Sequence, residues 1–563
     1  MRVSFTHWSS SFKGHFWKMK ILLIFPPRRF DSYMHPPTSL LFITQAVRRA
    51  GHEAEIIDIP YLLEKFPEKY AIQDNSIAEY ILSKDCDLLG LAGLVSTYFF
   101  YDDFIPRFRA AKKDIPIVVG GSVGSPIKEV WEEHNPVDYL IESDGEIAIQ
   151  RLMDCLEERD YDGVEKIPGL HYLKNGRYES NAPEPIDDID KIPFLSYDEI
   201  DHEYYITELS RWLEDIVPDK SMLEGGEPRF LPLLTSRGCP YVCTFCFHFN
   251  SRMNFHSADY IVGYIKFLKE KYRINGLYVI DDLFVVDKKR TIRLCERLHK
   301  EDLGVVFFGS GGKPGLVGEE VLESMKRAGF IRFSYGIESG SQKILDVMVK
   351  ETTVEQNIEA VQITENNNVP CFANILFGMP GEDIQTLNET RDFLIKIGLN
   401  TSRFYASWAV AYPGTPLFDW MKENNLVGDT REYLFKVGSI GRYVHNFSEL
   451  PLNKLEHKVF ELHREVDMAY HLKHKEYGSY LIKFAELVCG KLLYCLNPAL
   501  RQKVKNFGRK KILGSEGQKR IQKKSTIEVE RWVASLSQKA DAHVFAPTLE
   551  ATAAPREKLQ PTE

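Results

Sequence analysis

Thr235-Ser-Arg-Gly-Cys-Pro-Tyr-Val-Cys-Thr-Phe-Cys-Phe-His-Phe249 puts Cys239, Cys243 and Cys246 at C-x3-C-x2-C spacing. Three thiolates this close can converge on one inorganic site, because soft sulfur ligands select iron–sulfur clusters and zinc. The number three matters. A closed structural site wants four protein ligands, and no fourth cysteine lies nearby. A cluster held by three keeps one iron open, and an open coordination position is what a catalytic metal needs. His248 and His256 are near enough in sequence to complete a zinc site, so that alternative stays open here.

The rest of the chain frames this loop. At 563 residues two or three domains are expected, and 44% hydrophobic residues can fill their cores. A formal net charge of −9 argues against broad nucleic-acid binding. Nine cysteines are scattered and only three cluster, the pattern of a reducing, cytoplasmic setting with one metal site rather than a disulfide framework. No apolar run approaches the length of a membrane-spanning helix. Residues 1–18 lack the apolar core of a signal peptide and read as an extension, with Met19 resembling a natural start.

Upstream of the loop, short apolar runs alternate with helical patterns. Residues 21–25 form an apolar run stopped by Pro26-Pro27, which suits a buried parallel strand. Further strands are expected at 53–59, 87–93, 115–119 and 138–141, with helices at 39–50 and 101–113. This rhythm predicts a doubly wound, Rossmann-like α/β sheet over residues 19–150, whose ligand sits beyond the carboxyl ends of the strands. There Ser96 and the turn Gly120-Gly121-Ser122 become candidate binding residues, the glycines allowing close backbone approach. Residues 151–228 read as a linker, with a hairpin turning at Asn175-Gly176, an acidic stretch at 186–193 and an unplaced charged stretch at 203–227.

From residue 229 to 425, six strand–helix units predict an open (β/α)6 partial barrel. Chemistry in such barrels gathers at the carboxyl ends of the strands. The polar groups fall there: Asp281-Asp282 after the second strand, Gly336-Ile-Glu338 after the fourth, and Phe377-Gly378-Met-Pro-Gly381-Glu382 after the fifth. Beyond this, 426–535 reads as mainly helical, notably at 452–494. Residues 501–524 carry ten basic residues against one acidic, a composition that suits a solvated helix, or contact with anionic membrane lipids or an acidic partner. The tail, 536–563, has a disordered composition.

The cysteine loop resembles that of radical S-adenosylmethionine (SAM) enzymes, with Phe245 as the aromatic residue that typically precedes the third cysteine. The ordered motifs from 229 to about 420 extend the resemblance. It implies a [4Fe–4S] cluster on Cys239, Cys243 and Cys246 whose open iron takes SAM, and reductive cleavage of SAM to methionine and a 5′-deoxyadenosyl radical. It also implies Asp281 near the amino end of SAM, Glu338 at its ribose beside Gly336, and Gly378 and Gly381 near its adenine. Residues 19–150, through Ala50-Gly-His-Glu53, Val119-Gly-Gly-Ser122 and Asp144-Gly-Glu146, resemble the cobalamin-binding domain that precedes many radical SAM cores. The motif Asp-x-His-x-x-Gly is missing, which implies cobalamin held base-off without a histidine ligand. The expected function is therefore cobalamin-dependent methylation of an unactivated carbon in a small molecule or lipid, with electrons from a flavodoxin- or ferredoxin-type donor. The same cofactors serve ring formation, rearrangement or oxidation, and a non-catalytic zinc- or cluster-binding protein is the remaining alternative. No residue is singled out as catalytic.

Overall fold

Five strands build the first sheet, all but the edge strand β2 nearly wholly buried: β1 (Lys20–Phe25), β2 (Glu53–Asp58), β3 (Leu88–Ala92), β4 (Ile117–Gly120) and β5 (Tyr139–Ile141). They run parallel in the order β2-β1-β3-β4-β5. Alternate residues of each strand feed two different cores. Ile21, Leu23 and Val118 pack under the Thr38–Arg49 and Gly145–Glu158 helices. Leu22, Ile24 and Val119 pack under the Tyr98–Ala111 helix. Burial on both faces is why the strands read as continuous apolar runs. In this computed structural model the described residues are 18–27, 35–72, 75–213, 217, 220–248, 252–437 and 444–494. The expected extension up to residue 17, the basic 501–524 segment and the tail lie outside them.

The sheet does not stop at residue 150. β6 (Leu170–Lys174) pairs antiparallel with β5, and β7 (Arg177–Ser180) pairs with β6. Asn175 and Gly176 both take positive φ, +53° and +79°, as a tight two-residue hairpin requires. The part of the chain read as connective therefore widens the first sheet. The stretch left unplaced at 203–227 also has a position. It contains the His202–Leu213 helix, whose Leu209 and Leu213 pack with Leu223 on Phe230, Val306 and Ile331, at the amino ends of the second sheet's strands.

That second sheet holds β8 (Phe230–Leu233), β11 (Gly276–Val279), β12 (Val306–Gly312), β13 (Phe330–Glu338), β14 (Cys371–Phe377) and β15 (Phe404–Trp408), all parallel in this order. It is the open six-stranded half-barrel expected. Between β8 and β11, β9 (Ser236–Arg237) and β10 (Asn254–Phe255) form a short antiparallel ribbon that brackets the cysteine loop at its two ends. Side-chain caps start the outer helices: Ser257, Asp287, Thr353 and Asp383 each accept a bond from the backbone N–H three residues on. The stretch 452–494 is two helices, Leu452–Lys473 and Tyr477–Tyr494, broken where Lys475 takes φ +60°.

The two lobes share one continuous apolar core. Phe99, Phe104 and Trp131 of the first belong to the same cluster as Met348, Leu376 and Phe418 of the second. Arg431 also clamps Asp102 across the junction, at 3.0 and 2.9 Å.

Candidate active site

The carboxyl ends of the first sheet and of β8 and β11 in the second open on one cavity of about 480 Å³. The first lobe supplies apolar walls (Leu23, Ile43, Ile141, Ile149) and the turns after β3 and β4. The second supplies Leu234, Arg237, Gly238 and Asp282. Gly238, on the wall, directly precedes Cys239.

Ser96, Gly120 and Gly121 line this cavity. Gly121 has φ +79°, and a Cβ there would lie 2.5 Å from the carbonyl oxygen of Gly93. Only glycine lets the two turns touch. Ser122 behaves differently from the expectation. It is buried behind the turn, where its Oγ accepts from the Val95 N–H at 3.0 Å, so it holds the loop in shape rather than facing the cavity. No histidine lines the cavity among the described residues. His52 is buried beside Asp154, and His35 stacks on Tyr278.

Asp281 is corrected as well. Its carboxylate accepts from the Thr235 N–H at 2.6 Å, Thr235 Oγ1 at 2.5 Å and Ser236 Oγ at 2.6 Å. Burial raises its pKa, and these bonds offset part of the rise. It ties the end of β11 to the segment entering the cysteine loop, and Arg290 braces the same segment through the Thr235 carbonyl at 2.8 Å. The next residue, Asp282, is the one on the cavity wall.

Cys243 is buried, and Cys239 and Cys246 are half-buried. Cys246 is pushed up to about 12 by burial first, then by the other two thiols, which places the three sulfurs within electrostatic reach of one another. Two cations stand beside them. Lys350 Nζ lies 3.2 Å from Glu338 Oε1, with both side chains nearly buried. Lys313 Nζ sits 3.2 Å from the centroid of the Tyr241 ring and is pulled down to about 8 by burial. Positive charge next to three thiols favours their anionic, ligating form. Phe245 packs at the edge of the shared core, with Lys350 Nζ 6.0 Å from its ring.

Of the two histidines that could complete a zinc site, His248 keeps a buried Nε2 without a hydrogen-bond partner. His256 is engaged elsewhere, bonding Asp190 through Nδ1 at 2.9 Å and stacking on Tyr260 at 4.0 Å. Among the described residues no three His, Cys, Asp or Glu side chains are grouped as a single metal ion would need. A cluster, in which each thiolate takes a different iron, asks for wider sulfur spacing.

Glu338 has φ +63°, a conformation that costs a non-glycine residue energy and concentrates at functional sites. Gly336 makes room for it: a Cβ there would lie 2.6 Å from Glu338 Oε1 and 2.8 Å from Lys350 Nζ. The expected free carboxylate is thus an ion pair beside the thiols. Gly378 and Gly381 take φ +88° and +77° at the end of β14, and the Gly378 N–H donates to Glu382. Sequence reasoning missed Arg237, Lys350 and Glu382. Arg237 bridges Asp144 (Nη1–Oδ1 2.9 Å) and Glu146 (Nη2–Oε1 2.7 Å) on the cavity wall, its guanidinium 4.9 Å from the Phe42 ring centroid. The motif Asp144-Gly-Glu146 was the available signal.

Glu382 is fully buried, and burial raises its pKa from 4.5 to about 8. Between those values the native state holds a proton that the unfolded chain has lost. Its contribution to stability is therefore full below about 4.5 and falls as pH rises towards 8. Glu382→Gln, which stays neutral, should flatten the decline in melting temperature over this window. An unchanged slope would show that Glu382 titrates normally.

The Radical SAM superfamily matches residues 233–394. The chain is 28% identical over 420 residues to the uncharacterized methyltransferase PH0819 of Pyrococcus horikoshii, covering 73% of this chain and 84% of that one. It is 23% identical over 416 residues to the anaerobic magnesium-protoporphyrin IX monomethyl ester cyclase of Rubrivivax gelatinosus, covering 71% and 69%. Among solved structures it resembles the radical SAM methyltransferase TsrM of Kitasatospora setae, with cobalamin and a [4Fe–4S] cluster bound (TM-score 0.59, 18% identity, 72% and 78% covered). It also resembles the cobalamin-dependent radical SAM enzyme OxsB with aqua-cobalamin and SAM bound (TM-score 0.60, 17% identity, 94% and 81% covered). The fold of this chain is the fold of those enzymes.

Proposed function

We infer that this chain, a radical SAM enzyme by its domain over residues 233–394, is a cobalamin-dependent methyltransferase acting on an unactivated carbon. The observation that carries this reading is the shared cavity. The carboxyl ends of a Rossmann-like sheet and of the first two strands of a half-barrel, β8 and β11, open on one space, and the residue before Cys239 lies on its wall. When bound, the cluster and SAM supply a radical able to take hydrogen from an inert C–H bond, and methylcobalamin supplies the methyl group.

The chain's own residues provide the settings. Cys239, Cys243 and Cys246 would hold the cluster, and Lys350 and Lys313 offset the thiolate charge. Gly378 and Gly381, in left-handed turns that favour glycine, would lie beside SAM at the end of β14, while Gly336 leaves room for the Glu338–Lys350 pair. Ser96, Gly120 and Gly121, with the apolar walls, would take the corrin. Apolar walls also exclude water from a reactive intermediate. The substrate class is a small molecule or lipid, and electrons come from an external flavodoxin- or ferredoxin-type donor in a reducing, cytoplasmic setting. Residues 19–180 form the corrin-binding unit in this reading, and 229–425 the radical core.

Ring formation with the same cofactors is the second reading, favoured by the similarity to a cyclase over 69% of that protein. Anaerobic reconstitution with iron, sulfide, cobalamin and a reductant tests both. Formation of 5′-deoxyadenosine is expected, and its absence defeats the radical reading. With methyl-deuterated SAM, label should pass to cobalamin and then to product. Deoxyadenosine without labelled cobalamin would favour the cyclase-type reading.

A further inference from the structure

The Tyr477–Tyr494 helix is the outermost layer of the second lobe, and it faces the wrong way for a helix in water. Its inner side is fixed on the Leu452–Lys473 helix. Leu487 is buried there, Arg464 pairs with Glu486, and Gly490 admits the Phe460 ring so closely that a Cβ would lie 2.2 Å from it. Its outer side carries Leu481, Phe484, Val488 and Leu492, exposed by 62, 47, 40 and 64%, with Ile482 beside them at 59%. Positions 481, 484, 488 and 492 fall three or four apart, so these side chains form one stripe. An outer helix normally turns charge towards solvent, and a contiguous exposed apolar stripe marks an interaction surface.

The sequence just beyond this helix indicates the partner. Residues 501–524 hold ten basic residues and one acidic, in a chain whose net charge is −9. An aliphatic stripe followed in sequence by concentrated positive charge matches the two layers of an anionic bilayer. The apolar side chains enter the headgroup–acyl boundary and the lysines and arginines meet the anionic headgroups. An acidic protein or nucleic acid would use the basic run and leave the stripe in water. The helix spans about 27 Å at 1.5 Å per residue. No helix among the described residues is long and apolar enough to cross a membrane, so this one would lie in the membrane plane.

We propose that the Tyr477–Tyr494 helix docks the protein flat on an anionic lipid surface. The inference does not rest on the proposed reaction. It is tested with the full chain, centrifuged with vesicles of phosphatidylcholine alone or mixed with phosphatidylglycerol. Binding to the mixed vesicles should be about tenfold stronger than to the neutral ones, and should weaken as salt rises. The pair L481E/L492E should lower it about tenfold, while 5′-deoxyadenosine formation stays at the wild-type level. L481A/L492A, the milder pair, should fall between. No binding to mixed vesicles, or equal binding by L481E/L492E, overturns the proposal. So does a dimer in sedimentation velocity that L481E/L492E dissociates, since the stripe would then belong to a second copy of the chain.

Discussion

Cys243→Ala should reduce 5′-deoxyadenosine formation to the uncatalysed background while the first lobe stays folded and still takes up cobalamin. Three thiolates are the minimum for a cluster with one open iron, and removing one leaves two. Of the two nearby histidines, His256 is held by Asp190 and packed on Tyr260, and His248 would offer a nitrogen in place of the soft thiolate that a cluster iron takes. The loop itself should survive. The Thr244 N–H donates to the Met348 carbonyl at 2.9 Å, and the Leu417 N–H donates to the Thr244 carbonyl at 2.8 Å. The lost thiol leaves a small void worth about 1 kcal/mol. Cys243→Ser is the sharper control, since it keeps the size of the side chain and replaces only the soft ligand. Iron content, the cluster's visible absorption and cobalamin uptake, measured together, separate loss of the cluster from loss of the fold. Wild-type cleavage of SAM by Cys243→Ala would mean that the cluster ligands lie elsewhere.

The strands were legible because burial on both faces leaves short apolar runs, too short for helices and bounded by turn residues. Residues 21–25 and 230–233 read as apolar runs for that reason, and the structure places β1 and β8 there. The hairpin Leu170–Ser180 was visible too, through Asn175-Gly176. Its membership of the first sheet was not, since pairing with β5 is a contact of about 30 residues' separation that leaves no local trace. The break between the last two helices lacks a proline, and Lys475 simply adopts the left-handed conformation.

At the site, residue types were readable and partners were not. Asp281 and Asp282 are neighbours at the end of β11 and point opposite ways. The first goes to Thr235 and Ser236, the second to the cavity, and a sequence gives no means of telling which. Ser122 and Glu338 make the same point. Ser122 came from a glycine turn and Glu338 from the family resemblance, and each already has a partner, Val95 and Lys350. What a polar residue can offer a ligand depends on what its neighbours have already taken from it.

Arg237 is the residue for which this distinction has the largest consequence outside the cluster. Its side chain is 10% exposed, and it bonds two carboxylates at the start of the Gly145–Glu158 helix. Burial alone would lower its pKa, but Glu146 and Asp144 outweigh that and hold it well above the usual value. Arg237→Ala would leave Asp144 and Glu146 without this cation at the wall of the shared cavity. Removing one partner of a buried ion network costs about 3 to 5 kcal/mol. The expected result is a melting temperature several degrees lower in cofactor-free protein, together with weaker retention of cobalamin by equilibrium dialysis. Arg237→Lys should recover only part of this, because an ammonium cannot span both carboxylates as the guanidinium fork does. The origin of the loss can be isolated. If it comes from orphaned negative charge, adding Asp144→Asn and Glu146→Gln to Arg237→Ala should raise the melting temperature again, and acidification should help the single variant more than the triple one. If the triple variant is no more stable than Arg237→Ala, the bridge acts through packing on Phe42 instead. If Arg237→Ala melts with the wild type, the bridge contributes nothing to holding the lobes together, and the shared apolar core alone sets the distance between the cavity and the cysteine loop.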